Sequence, residues 1–270
     1  MLTDAHLQAV VFDWAGTVVD PGAKAPAAAV VRAFAEFEVA LTEAEARGPM
    51  GMAKREHLQA VMALPRVRDA WREKHGAAPA EADVDRVYEV FVPMMVDAVA
   101  EHAELIDGAA RTARRARERG LKIGSTTGYT REIMAPLLPK AAAQGFAPDS
   151  LVCAGEVALG RPAPLMLYRS FVELEVWPAS AAVVVDDTPA GIRAGLAAGC
   201  WTVGVALTGN AFGLTPAEAA ALDEAERGRR EGAAYAELAR AGAHAVVDGV
   251  GDLESVLDEI EGALARGERP

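Results

Sequence analysis

Cysteine is almost missing from this chain: Cys153 and Cys200 are its only two, and they lie far apart. That spacing offers neither a disulfide framework nor a cysteine metal site. Positive charge is also short, with 27 Lys and Arg against 39 Asp and Glu, a formal net charge of −12. Such a balance argues against nucleic acid or an anionic membrane as partner. A small anionic substrate is still permitted, because a metal or a few local cations outweigh the global field. Long hydrophobic runs are lacking as well. Stretches such as Ala181 to Val185 are strand-sized, far below a membrane span. The opening Met1-Leu2-Thr3-Asp4-Ala5-His6 has no basic-then-apolar leader pattern, so a reducing, cytoplasmic setting is expected. What the chain does have is apolar content. At 51% hydrophobic over 270 residues, it can build one large α/β domain with a sizeable insertion.

Short β-branched runs alternate with alanine-rich segments of helical length. Strands are predicted at 7–12, 121–125, 181–185, 201–205 and 244–247, with helices near 108–119, 130–143, 188–198, 228–242 and 251–265. Alternation of this kind implies right-handed βαβ units and a parallel sheet covered on both faces. Polar groups at the carboxyl ends of its strands then converge on one crevice. Residues 22–102 break the rhythm, with helical patterns interrupted by Gly48-Pro49-Met50-Gly51, Pro65 and Pro79. The predicted fold is therefore α/β. A Rossmann-like parallel sheet core (1–21 and 103–270) carries a small all-helical cap domain (22–102) inserted after the first strand.

Four polar features follow predicted strands. Phe12-Asp13-Trp14-Ala15-Gly16-Thr17 puts a carboxylate at the crevice floor, although an acid ending a strand also suits a plain turn. Ser125-Thr126-Thr127-Gly128-Tyr129 gathers hydroxyls and backbone donors suited to phosphate oxygens; its alternative is a cap for a helix starting near Thr130. Gly160-Arg161-Pro162 holds a cation at a rigid turn, or merely a surface arginine. In Val184-Val185-Asp186-Asp187-Thr188, two adjacent acids follow an apolar strand, which packing does not explain and a hard cation such as Mg²⁺ does.

In this order at these strand ends, the four features resemble the haloacid dehalogenase-like superfamily of aspartate-nucleophile hydrolases. Three longer stretches narrow the resemblance to the phosphonoacetaldehyde hydrolase (phosphonatase) family. They are Val11 to Thr17, Pro49-Met50-Gly51-Met52-Ala53-Lys54 with His57, and Ile123 to Glu132. The resemblance implies Asp13 as nucleophile and Lys54 as the imine-forming amine. It places Arg161 and Thr127 on the phosphonate oxygens, and His57 in proton transfer. Met50, Gly51, Gly128 and Tyr129 would face the substrate. The implied metal is Mg²⁺, held by Asp13, Asp187 and the carbonyl of Ala15, with Asp186 supporting from behind. A homodimer is implied too.

Chemistry links two of these positions. Most superfamily phosphatases carry an acid two residues after the nucleophile to protonate an alkoxide, and here that position is Ala15. Breaking a C–P bond instead needs an electron sink, which a lysine imine supplies. One departure stands out: where many relatives place a further acid four residues beyond the metal aspartate, this chain has Gly191. The alternatives are a phosphomonoesterase or sugar-phosphate mutase of the same superfamily, or a catalytically dead binding module. Ala15 argues against the first. Retention of Asp13, Thr127, Arg161 and Asp187 argues against the second.

Overall fold

A computed structural model describes residues 6–270; the leader reading of Met1 to Ala5 lies outside the described residues. Six strands form one sheet: β1 (Ala9–Phe12), β2 (Lys122–Thr127), β3 (Ser150–Cys153), β4 (Ala182–Asp186), β5 (Trp201–Val205) and β6 (Ala245–Val247). Their order is β3-β2-β1-β4-β5-β6, and every pairing is parallel. Six helices run between β1 and β2, the first five being α1 (Lys24–Ala35), α2 (Glu43–Arg47), α3 (Lys54–Ala63), α4 (Pro65–His75) and α5 (Glu81–Glu101). The other eight are α6 (Ala109–Glu118), α7 (Arg131–Met134), α8 (Leu137–Ala143), α9 (Leu165–Leu174), α10 (Pro189–Ala198), α11 (Pro216–Ala220), α12 (Glu224–Ala241) and α13 (Leu253–Ala265).

The central strands read as unbroken apolar runs because both faces of the sheet are buried. Along β1, Val10 and Phe12 enter one core while Ala9 and Val11 enter another on the opposite face. Strand β4 divides the same way, with Val183 and Val185 against Ala182 and Val184. The helical insertion extends the first of these cores with a periodic apolar face. Val87, Phe91 and Met95 follow at four-residue steps on α5 and meet Val30 and Phe34 of α1 and Leu58 and Val61 of α3. Each such side chain contributes roughly 1.5–3 kcal/mol on burial. Asp20 ties the two chain passages between sheet and insertion. Its carboxylate accepts from the backbone of Lys24 (3.1 Å) and Ala25 (3.0 Å) and lies 3.1 Å from His102 Nδ1.

The structure differs from the sequence expectation in several details. Strand β3 was not predicted: only four residues long, Ser150-Leu151-Val152-Cys153 is recognisable through its partner β2 rather than by itself. Helix α9 was also missed, although it covers the sheet with Leu167, Phe171 and Leu174. The single helix expected over 130–143 is two, α7 and α8, broken at Pro136, whose ring cannot continue the hydrogen-bond ladder. Among the described residues, no helix is long and apolar enough to cross a membrane.

Candidate active site

The chain switches from one half of the sheet to the other between β1 and β4, where a crevice is expected at the carboxyl ends of the strands. Pairing register sets its floor. Phe12 lies opposite Ser125 on one side and Val185 on the other, so Asp13, Thr126 and Asp186 lie at one level. The carboxylates of Asp13, Asp186 and Asp187 have oxygens within 4.8 Å of one another, all buried.

Arg161 is buried, not a surface arginine. Its Nη1 donates to Asp13 Oδ1 at 2.6 Å and lies 3.0 Å from Asp186 Oδ2, while Nη2 donates to the carbonyl and hydroxyl oxygens of Thr126, each at 2.7 Å. Burial opposes the guanidinium charge, but Asp186 and Asp13 outweigh it and hold the group firmly protonated. Asp186 Oδ1 accepts from the backbone N–H (2.9 Å) and hydroxyl (2.7 Å) of Thr188, which also caps α10. Its Oδ2 has the charge of Arg161 nearby yet accepts no hydrogen bond. Burial raises the Asp186 carboxyl to about 7, against the pull of Arg161.

Asp187 is in a poorer position. It accepts only from neutral donors, Thr17 Oγ1 at 3.2 Å and the Asn210 backbone N–H at 2.7 Å. Burial and the charges of Asp13 and Asp186 push its carboxyl well above the ordinary range. An all-oxygen cluster whose charge one arginine does not balance is what a hard divalent cation relieves, so the residues fit a metal. Gly191 is explained by the same crowding, because any side chain there would overlap the Asp186 carboxylate. The space of an acid at 191 is already filled by an acid at 186.

The helical cap supplies the roof. Asp13, Ala15, Thr127, Gly128, Tyr129 and Arg161 from the sheet side line a small cavity with Met50, Gly51 and Lys54 of the cap. Closure depends on two glycines. Gly51 has φ +89°, and a side chain there would strike Thr188; one on Gly128 would strike the Met52 carbonyl. Lys54 is 3% exposed, with Nζ 3.6 Å from Met50 Sδ and 5.1 Å from the centre of the Tyr129 ring. Burial lowers its ammonium to about 8, although Asp13 pulls the other way.

His57 stands one helical turn beyond Lys54, fully buried and outside the cavity wall. Its Nε2 is 2.7 Å from the Ala46 carbonyl, so it carries the proton and donates, leaving a buried Nδ1 without a partner. Burial and the charge of Lys54 hold its pKa down to about 3. Asp186 and Asp187 likewise sit outside the wall, and Thr127 Oγ1 accepts from the Tyr129 backbone at 3.1 Å.

Thr17, Asn210 and the cap residue Arg47 were not singled out from sequence. Asn210 lies in Leu207-Thr208-Gly209-Asn210 just beyond β5, so the strand-end rule applied to that strand would have found it. Nothing in the sequence marks Arg47, the last residue of the five-residue α2.

Residues 7–199 match the family model of the haloacid dehalogenase-like hydrolases. The phosphonoacetaldehyde hydrolase of Paraburkholderia xenovorans strain LB400 is 54% identical over 265 residues, covering 98% of this chain and 99% of its own. That of Hahella chejuensis strain KCTC 2396 is 46% identical over 264 residues, covering 98% and 90%. The crystal structure of a phosphonoacetaldehyde hydrolase-like protein from Oleispira antarctica superposes with a TM-score of 0.96 at 40% identity, covering 99% of this chain and 97% of that one. The chain belongs to the phosphonoacetaldehyde hydrolase family of haloacid dehalogenase-like hydrolases.

Proposed function

We propose that the protein cleaves the C–P bond of phosphonoacetaldehyde, giving acetaldehyde and phosphate, in 2-aminoethylphosphonate degradation. The observation that carries this reading is a buried lysine sharing one cavity with Asp13, where Ala15 leaves no acid for an alkoxide. Uncharged Lys54 Nζ adds to the aldehyde carbon and water leaves, forming a protonated imine. Asp13 attacks phosphorus as the C–P bond breaks, and the electron pair moves into an enamine rather than onto a bare carbon. Protonation of the enamine carbon and hydrolysis of the imine release acetaldehyde. A second water hydrolyses the aspartyl phosphate.

Arg161 already touches Asp13 and is placed to hold phosphonate oxygens together with Thr127. Mg²⁺ held by Asp13, Asp187 and the Ala15 carbonyl would supply the positive charge that offsets repulsion between carboxylate and phosphonate. Asp186 keeps Arg161 in place from behind. With Nε2 committed to Ala46, His57 acts through the lone pair of Nδ1, as a neutral proton acceptor and not a resident imidazolium. Met50, Gly51, Gly128 and Tyr129 close around the aldehyde. The same reading, by family resemblance, takes the enzyme as a cytoplasmic homodimer with its cap over 22–102.

Incubation with phosphonoacetaldehyde and Mg²⁺ should release acetaldehyde and phosphate in equal amounts. Turnover of phosphate esters with none of phosphonoacetaldehyde would reject the assignment. Ala15 carries a second test. Ala15→Asp adds a negative charge beside Asp13 and the phosphonate, in a small cavity largely closed to water. Phosphonate cleavage should fall by about tenfold or more, since a penalty near 1.4 kcal/mol is already tenfold in rate. A variant that cleaves the phosphonate faster would overturn this view of position 15.

A further inference from the structure

Arg47 sits at the end of α2 in the cap, and its guanidinium reaches across to the loop that follows β5. Nη1 donates to the Gly22 carbonyl at 2.8 Å and to Asn210 Oδ1 at 3.1 Å, and Nη2 to the Gly213 carbonyl at 3.3 Å. Asn210 answers with Nδ2 donating to the Arg47 carbonyl at 3.3 Å. Both ends of the asparagine amide are therefore occupied by one cap residue. Asn210 is buried, and its backbone N–H is the 2.7 Å donor to Asp187 Oδ2. Glu43 fixes the arginine from its own helix, with Nε to Oε1 at 2.9 Å.

We propose that Arg47 is a positioning residue for the hydrolysis, seating the 207–213 loop through Asn210 so that Asp187 is held in place only when the cap is down. This rests on the function proposed above and adds a link between its two halves. The cap that brings Lys54 over Asp13 would, by the same movement, complete the metal side of the site. A planar fork suits the task because three carbonyl-type acceptors surround it, which a lysine ammonium on a single stem does not span in the same way.

The test is Mg²⁺ titration calorimetry on the full chain, alongside kcat and KM for phosphonoacetaldehyde. Arg47→Ala and Asn210→Ala should each weaken Mg²⁺ binding by about tenfold and lower kcat more than they raise KM. The double variant should bind Mg²⁺ no worse than either single one, because both act through one path. Arg47→Lys should not restore binding. Unchanged Mg²⁺ affinity in folded Arg47→Ala, with only a lower melting temperature, would reduce Arg47 to a clamp and overturn the proposal. Additive losses in the double variant would overturn the route through Asn210. If Arg47→Ala does not fold, Arg47→Gln is held to the same measurement. Calorimetry decides the matter even where the wild type fails to cleave phosphonoacetaldehyde, which would refute the function and leave the link to Asp187 to be judged alone.

Discussion

Lys54→Arg should remain folded and lose turnover by about a thousandfold or more, within the range seen when a covalent catalytic residue is removed. Arginine keeps the positive charge but has no amine able to form an imine, so the loss reports covalent chemistry and not electrostatics. The expectation follows from the lysine's setting. With its ammonium lowered to about 8, about a tenth of Lys54 is neutral at pH 7, against roughly one in 2,500 for a free lysine. The kcat/KM profile should therefore climb with pH up to about 8 and then level. Borohydride added with substrate should reduce the imine and leave an adduct on the peptide containing Lys54. An adduct on Lys24, Lys74, Lys122 or Lys140, or an active arginine variant, would rule out the imine at this position.

The same burial has a stability consequence that serves as a control. The folded pKa lies below the unfolded one, so the buried charge costs stability fully below about pH 8 and progressively less towards the unfolded value. Lys54→Met should accordingly be inactive and, at pH 7, melt at a higher temperature than the wild type. Function has been placed here against stability.

Why so much of this site is legible in sequence follows from the parallel sheet. Asp13 and the Asp186–Asp187 pair each follow a run of apolar residues, Thr127 closes β2, and the register of β1 with β2 and β4 makes strand ends into neighbours. Gly51 and Gly128 are legible for another reason, since a side chain at either would block cap closure. The strand-end rule has less to say about contacts made across elements. Arg161 reaches Thr126 and Asp186 from a loop, and Arg47 reaches Asn210 across 163 positions. Short elements were lost for a related reason. The four residues of β3 have meaning only beside β2, and α9 only against the sheet it covers. The absence of an acid at Gly191 is explained only across elements of the folded chain, by the Asp186 carboxylate that fills the space beside it.

Asp187→Ala should abolish Mg²⁺-dependent turnover, with a loss of several orders of magnitude, and should at the same time make the empty protein more stable near neutral pH. The two effects come from one geometry. Asp187 is 1% exposed, has no cation of its own, and shares oxygens within 4.8 Å with Asp13 and Asp186. Without metal, burial first and mutual repulsion second oppose the charged forms, and the carboxyls of Asp186 and Asp187 are raised accordingly. Deleting one carboxylate relieves both. The folded pKa of Asp187 is above the unfolded one, so its ionised form costs stability as pH rises past the unfolded value, and the relief should be absent in acid. With Mg²⁺ the order should reverse: the wild type gains melting temperature through binding and the variant gains little. EDTA should erase wild-type activity and added Mg²⁺ restore it. Full turnover by Asp187→Ala in EDTA, or an equal Mg²⁺-induced rise in melting temperature for both proteins, would exclude Asp187 from the metal.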